Sequence, residues 1–468
     1  MTQPKRILIK NPRLVATMND GQVEYSGGHV LIENGKIKSL GPDLPEIQAD
    51  EVIDAQNMVV LPGFINTHHH LYQSLTRNIP RMQNVSLFEW LKNHYEIWRE
   101  LTEEGVFVSA RVGLLELMKS GATTSSDHLY LFPRDSGGRL IDAEINAARQ
   151  LGIRFQPTRG SMTLGKSAGG LPPDEMVQDE AEIQADTERL LAKFHDTAPG
   201  AMTRLALAPC SPFSVTTRQM QRTADYAADH NLLIHTHLAE TLAEEQFCIR
   251  QFGKRPLEYL DSVSWVGENA WYAHAIHLNG DEIRRMGAAG AGMSHCPSSN
   301  MRLGSGIARI HELLEAGVKV SLGVDGSASN DSGNMLLEIR NALYLSRLRE
   351  QDKWLSARDV FRIATRGGAA ALRRDDIGEL SVGKRADLAL FDISTLEYAG
   401  AQSDPLAALV FTVRMRPVDW LIVDGIIRIR NGESQVLESK LIASHNRLAA
   451  EMLTRAHKRT GIDFRHEN

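Results

Sequence analysis

Two hydropathy rhythms alternate along this chain. The first sixty residues carry short β-branched runs with polar breaks: ILIKNPRLVATM, HVLIENGKIKSLG and EVIDAQNMVVLPG. Asn34-Gly35 between two such runs is a hairpin signal, because both positions of a tight two-residue turn need positive φ. After Gly63 the rhythm changes to short apolar runs separated by amphipathic helical stretches, the pattern of a parallel βα sheet. The runs fall at 60–70, 121–128, 153–160, 204–212, 232–240, 270–278, 291–299 and 319–326. Between them, GRLIDAEINAARQLG has helical spacing and Gly152 at its expected C-terminal cap. Beyond about Arg374 the chain returns to β character in GELSVGKRADLALFDI and DWLIVDGIIRIRNG, with a second turn signal at Asn431-Gly432, and the tail from Leu437 to about Arg459 reads as helix.

Eight βα units predict an α/β fold, a (β/α)8 TIM barrel, with a small β-sandwich-like domain built from the N- and C-terminal segments. The expected division is 1–62 for the N-terminal part of the β-domain, 63–374 for the barrel, 375–433 for the C-terminal part of the β-domain and 434–468 for a helical tail. The segment 162–180, with Gly169, Gly170, Pro172 and Pro173, reads as a long active-site loop.

Composition narrows the partners. A formal charge of -6 leaves no basic footprint for nucleic acid or an anionic membrane. The opening MTQPKRILIKNP has basic residues but no long apolar stretch, so neither a secretory leader nor a membrane span is expected. The chain has 3 cysteines, Cys210, Cys248 and Cys296, too few and too odd for a disulfide framework, which points to a reducing cytoplasm.

The chemistry sits at the ends of the apolar runs. PGFINTHHH ends in His68, His69 and His70; in an extended chain residues two apart share a face, so His68 and His70 would point inward together and His69 away. HTHLAE raises the same question for His235 and His237. His237 lies nearer the strand mouth and is preferred as ligand, with His235 as a hydrogen-bonded neighbour, although period alone leaves both open. Glu240 would lie just past that strand, facing a substrate, or would cap the helix that follows. His274 ends the sixth run and is read as orienting an attacking water rather than as a ligand. His277 is on the other face or in a loop. Asp325 in GVDG can bind a metal through one oxygen and take a water proton on the other, or can serve only as a turn residue. His295 and Arg159 are ambiguous between structural and substrate roles. The fourth run lacks the anionic bridging ligand a two-metal site would want, and Cys210 there reads as a small buried thiol.

With these residues assembled, the chain resembles the amidohydrolase superfamily, in its single-zinc aminohydrolase branch. PGFINTHHH matches PGxxNTHxH, HTHLAET matches HxHxxE, GVDGSASN matches GxDGxASN, and GELSVGKRADLALFD matches GxxxxGKxADLxxxD. The resemblance implies His68, His70, His237 and Asp325 as metal ligands, Glu240, His274 and Asp325 as catalytic groups, and one Zn2+ per subunit, with Fe2+ as the alternative. HHHLYQSLTR, SSDHLYLFP, TRGSMTLGKSAGGLPPD, LALAPCSPFSVT and HCPSSNMRLGSGI are similar, more narrowly, to the group that deaminates 8-oxoguanine. That narrower resemblance implies hydrolytic loss of the C2 amine to give urate and ammonia. Asp325 would take the proton of the attacking water, Glu240 would protonate the adjacent ring nitrogen, and Asp325 would pass its proton to the departing amine.

Gln73 matches a glutamine that contacts the purine in related guanine deaminases, and Trp90 resembles a loop aromatic over the pocket. PCSPFS lacks the arginine that guanine deaminases place nearby, which favours an oxidised base. The alternatives are isoxanthopterin, guanine, a hydroxyatrazine-type triazine or an S-adenosylhomocysteine-type nucleoside, and more remotely a cyclic amide. The expected partner is a small purine-like molecule, and family analogy implies a homo-oligomer.

Overall fold

A computed structural model describes residues 5–43, 46–136, 138–349, 352–412 and 416–466. The first four residues of the opening segment and the last two of the tail lie outside the described residues.

Eight parallel strands close into a barrel in sequence order. They are β1 (Phe64–Asn66), β2 (Ala122–Leu129), β3 (Arg154–Ser161), β4 (Ala206–Pro209), β5 (Leu233–Leu238), β6 (Ala270–His274), β7 (Gly292–His295) and β8 (Lys319–Leu322). Each corresponds to one of the eight apolar runs. Helices cover the outside and the strands are buried on both faces, including two that are largely polar, ATTSSDHL in β2 and RFQPTRGS in β3. The pairing Leu322↔Asn66 closes the ring. Its interior holds a polar layer: Thr67 Oγ1 is 2.7 Å from the hydroxyls of Ser294 and of Ser321. Asn66 donates to Ser125 Oγ at 3.0 Å and accepts from the backbone N–H of Val324 at 2.9 Å. These contacts fix β1 between β2 and β8 immediately before the chain reaches His68.

One expected run is divided. Residues 60–70 read as a single strand, but Met58–Pro62 belongs to an outer sheet and the barrel strand starts only at Phe64. The break is at Gly63, where an added Cβ would lie 2.1 Å from the Thr123 side chain. His68 and His70 therefore lie beyond the strand ladder, yet the two-residue alternation persists, and His69 turns away toward Gly113 of the helix Glu103–Lys119.

The terminal segments form two facing sheets. One has four strands: Arg6–Lys10, His29–Glu33, Lys36–Gly41 and Glu51–Asp54. The other has seven, including Leu14–Ala16 and Met58–Pro62 from the N-terminal side and Leu388–Asp392, Trp420–Val423 and Ile426–Arg430 from the C-terminal side. The two ends of the chain meet where Met58–Pro62 pairs antiparallel with Leu388–Asp392, with Val60 opposite Leu390. Ile7, Ile9, Val30, Ile32, Leu388 and Ile422 fill the space between the sheets, as a β-sandwich requires. Both turn signals form hairpins with positive φ at each central residue: 50° and 77° at Asn34-Gly35, 51° and 81° at Asn431-Gly432.

Sandwich and barrel are joined through a buried cation. Arg154, at the start of β3, places Nε 3.0 Å from Asp387 Oδ2 and donates to the carbonyls of Gly200 at 2.7 Å and Ala201 at 2.9 Å. Asp387 Oδ1 accepts the backbone N–H of Asp424 at 2.7 Å. The helix Glu438–Thr460 packs back on the barrel: its Arg459 meets Glu96 and Glu100 at 2.7 and 2.8 Å, and its His445 Nε2 lies 2.9 Å from Ser74 Oγ. Among the described residues no helix is long and apolar enough to cross a membrane, and all three cysteines are free and buried.

Removing one partner of a buried ion pair leaves the other charge uncompensated, at a cost of about 3–5 kcal/mol. Arg154→Ala is therefore expected to lower stability by about that amount. Denaturant unfolding checks it, and an unchanged midpoint would contradict the pair's role in joining the two layers.

Candidate metal centre

Four distant segments converge at the C-terminal mouth of the barrel. His70 Nε2 lies 3.2 Å from His237 Nε2. Asp325 Oδ1 is 3.3 Å from His68 Nε2 and 3.4 Å from His70 Nε2. His68, His70, His237 and Asp325 are all at most 8% exposed.

The hydrogen bonds behind these rings decide which nitrogens face inward. A carbonyl only accepts, so His70 Nδ1 must donate to His128 O (2.7 Å), and His237 Nδ1 must donate to Cys210 O (2.8 Å). His235 Nδ1 donates to Trp271 O at 2.8 Å, which leaves its Nε2 as an acceptor. His68 Nδ1, 2.8 Å from that Nε2, is then the donor. Each of the three imidazoles consequently presents an Nε2 lone pair to one point. This is also the role of His235: it sets the tautomer of His68 and is turned away from the cluster.

Burial keeps the rings neutral. It depresses His68 well below the ordinary histidine value, takes His237 down to about 3, and lowers His70 against the opposing pull of Asp325. Two neutral imidazoles whose lone pairs face each other at 3.2 Å, as those of His70 and His237 do, repel unless a cation lies between or beside them. His68 Nε2 also lacks a hydrogen-bond partner. Asp325 Oδ1 brings a further acceptor against the inward nitrogens of His68 and His70, an arrangement that a cation among them would satisfy. Three imidazole nitrogens and one carboxylate oxygen fit a divalent metal of borderline softness, zinc among them.

Glu240 and His274 stand beside this set. Burial raises Glu240, partly opposed by His274. Burial alone would lower His274, but the charges of Glu240 and Asp325 outweigh it, so the ring is raised. His274 Nε2 lies 3.6 Å from Glu240 Oε2 and 4.0 Å from Asp325 Oδ2, while Nδ1 donates to Asn300 Oδ1 at 3.0 Å. Glu240 is not the helix cap: Thr241 caps the helix Leu242–Phe252. Ser305 Oγ donates to Glu240 at 3.3 Å, and Ser329 Oγ to Asp325 Oδ2 at the same distance. The backbone is left-handed at Ala239 (φ 49°), His274 (72°), Ala275 (47°) and Asp325 (62°), all non-glycine residues at the strand ends. Such clustering of unfavourable φ is a mark of functional sites.

A cavity opens over the set. Gln73 and Trp90 both line it, and Gln73 Oε1 and Trp90 Nε1 are buried without a hydrogen-bond partner. Gly326 gives Gln73 its place, since a Cβ there would lie 1.8 Å from Gln73 Oε1. Cys210, Phe213 and Tyr130 complete the walls, and burial pushes the Cys210 thiol up to about 12, which keeps it protonated and unreactive.

Two open readings fall to alternatives the sequence offered, and one expectation is overturned. His277 faces the loop at Ser305, with Nε2 2.8 Å from its carbonyl. Arg159 points outward, pairing with Asp186 at 2.7 Å and packing over Phe132. The segment 162–180, expected as an active-site loop, does not line the cavity; Thr163 and Leu164 donate to Ser214 O, and Leu171 to Phe213 O, so it braces the β4 loop from outside.

His295, the last residue of β7, is buried with one ring nitrogen unpartnered and does not line the cavity. His128 was not singled out, yet one of its nitrogens lies within 4.8 Å of those of His68, His70 and His237. Its ring stacks on His237 at 4.9 Å and 24°. Its position at the end of β2 was the available signal. Asp127 beside it accepts the N–H of Leu71 at 2.7 Å and so fixes the chain just after His70.

Comparison with known proteins follows the same lines. A family model described as the amidohydrolase family matches residues 59–427. The 8-oxoguanine deaminase of Pseudomonas aeruginosa is 47% identical over 452 residues, 96% of this chain and 99% of that protein. A hydroxydechloroatrazine ethylaminohydrolase from a Pseudomonas species is 35% identical over 432 residues, 89% of each chain. The crystal structure of atrazine chlorohydrolase from Arthrobacter aurescens complexed with zinc superposes with a TM-score of 0.91 at 34% identity, covering 95% of this chain and 100% of that one.

A ligand bound only by the folded state raises stability by about 4 kcal/mol at a thousandfold excess over its Kd. Zinc added to metal-free protein is expected to raise the melting temperature, and His237→Ala to lose most of that rise. Melting curves with and without the ion check this; identical curves for the parent protein would contradict a metal site.

Proposed function

The chain belongs to the amidohydrolase family, and on that premise we propose that it is a zinc-dependent aminohydrolase that converts 8-oxoguanine and water to urate and ammonia. The observation that carries the chemistry is the convergence of three neutral imidazole lone pairs and the Asp325 carboxylate beside the Glu240–His274 pair. The substrate is supported by similarity to an 8-oxoguanine deaminase over nearly the full length of both chains.

His68, His70, His237 and Asp325 would hold a divalent ion, which would supply Lewis-acid polarisation of water. Asp325 accepts the proton of the water that attacks C2. His274 holds that water in line through Nε2, its ring oriented by the Asn300 bond. Glu240, raised by burial, is suited to carry a proton to the ring nitrogen next to C2. That protonation drains charge from the tetrahedral centre; the proton on Asp325 then leaves with the amine, and the C2 hydroxyl proton returns to Glu240 as the carbonyl of urate forms. Gln73 and Trp90 bring an unpartnered acceptor and an unpartnered donor to the cavity wall, a pairing suited to the amide-like edges of an oxidised purine.

The division at 62/63, 374/375 and 433/434 assigns this chemistry to the barrel. We take the enzyme to hold one zinc per subunit, with iron(II) as the alternative, and to work as a homo-oligomer in the cytoplasm. Free, buried cysteines agree with a reducing compartment.

Metal-loaded protein assayed against 8-oxoguanine, isoxanthopterin, guanine and hydroxyatrazine is expected to release ammonia and urate fastest from the first; turnover of only another member would reassign the substrate. Glu240→Gln is expected to lower kcat by about 10²–10⁴-fold at unchanged metal content. Gly326→Ala, by displacing Gln73, is expected to lower kcat/KM by about tenfold, equivalent to about 1.4 kcal/mol. In a Gln73→Ala background the same change should cost little, and additive losses would exclude the collision as cause.

A further inference from the structure

We propose that Glu244 is a positioning residue that sets Glu240, and through it the Glu240–His274 pair, by holding the strained turn at the end of β5. The inference rests on the roles given above to Glu240 and His274.

Glu244 occupies the third position of the helix Leu242–Phe252 and is 0% exposed. In an ordinary capping box a carboxylate at this position reaches back to the N–H of the cap residue. Here it reaches further. Oε1 accepts the N–H of Ala239 and Oε2 the N–H of Glu240, both at 2.8 Å. The helix does not need this side chain as a cap, because Thr241 already accepts from Glu244 N at 3.3 Å.

The two N–H groups flank a residue that resists its own conformation. Ala239 has φ 49°, a region disfavoured for any residue with a Cβ. Two 2.8 Å hydrogen bonds from consecutive amides to one buried carboxyl group can hold it there. The same residue is gripped from the other side: its carbonyl accepts from Ile276 N at 3.1 Å and His277 N at 2.9 Å, and Ala275 N donates to Leu238 O at 2.9 Å. The turn after β5 is thereby latched to the turn after β6, where His274 and Ala275 are themselves left-handed. A rotation of the Ala239–Glu240 peptide would swing the Glu240 carboxyl away from His274 Nε2, now 3.6 Å distant. Glu244 is outside the cavity lining, and both its oxygens are engaged, so it acts on the reaction only by orientation.

The test compares Glu244→Gln, Glu244→Asp and Thr241→Ala in the full-length, metal-loaded protein. Glutamine keeps the shape but turns one acceptor into a donor facing an N–H. Aspartate keeps the charge but is one methylene too short to span both amides. Both are expected to lower kcat by about 10- to 100-fold, the effect of a displacement near 1 Å, with KM within threefold and metal content unchanged.

Thr241→Ala removes only the helix cap and is expected to lower the melting temperature while kcat per bound metal stays within twofold. Amide exchange at Ala239 and Glu240 should quicken in both Glu244 variants. If kcat per bound metal in the variants stays within threefold of the parent, or if exchange at those amides is unchanged, the proposal falls. Absence of turnover by the parent on every heterocycle would instead overturn the functional reading, and amide exchange would still decide the part played by Glu244.

Discussion

Everything at the barrel mouth depends on keeping protons off three inward-facing nitrogens. His68, His70 and His237 are buried deeply enough to stay neutral, but neutrality alone leaves the tautomer open. The outward nitrogens are committed to acceptors that cannot donate: the carbonyls of His128 and Cys210, and the relay from His68 through His235 to the Trp271 carbonyl. Backbone groups of β2 and β6, and of Cys210 just past β4, therefore decide which nitrogens of these rings face inward. Hydrogen bonds behind a ring fix its orientation and tautomer. It also explains why so much polar chemistry tolerates burial: nearly every donor in the set is used.

The fold was largely legible because each level of the sequence agreed with the next. Parallel strands covered on both sides tend to read as apolar runs, and the eight runs mark the eight strands even where β2 and β3 carry mostly polar residues. Asn34-Gly35 and Asn431-Gly432 are turns because few other pairs accept positive φ twice. The two-residue alternation brought His68 with His70 and His235 with His237, but not the choice within the second pair. That choice depends on Trp271, which lies far away in sequence and reaches His235 only after β6 pairs with β5. The Gly63 break was hidden because the residues on both sides of it are apolar. The outward turn of 162–180 was hidden because glycine and proline mark a loop without giving its direction.

The backbone at the barrel mouth has a further trait. Ala239, His274, Ala275 and Asp325 carry side chains where glycine would be easier, and the surrounding bonds hold them there. Sequence patterns register glycine at such positions and say little when another residue fills them. The reach of His274 toward both Glu240 and Asp325 follows from this backbone, not from its place at the end of a strand.

The antiparallel seam between Met58–Pro62 and Leu388–Asp392 has a bearing on biosynthesis. As the polypeptide emerges from the ribosome, the early strand waits with open backbone groups until more than three hundred further residues have followed. The half-built outer sheet carries an unsealed edge in that interval, the kind of surface on which nascent chains aggregate. Arrival of the late strand closes the edge, so a segment made after the barrel completes one made before it.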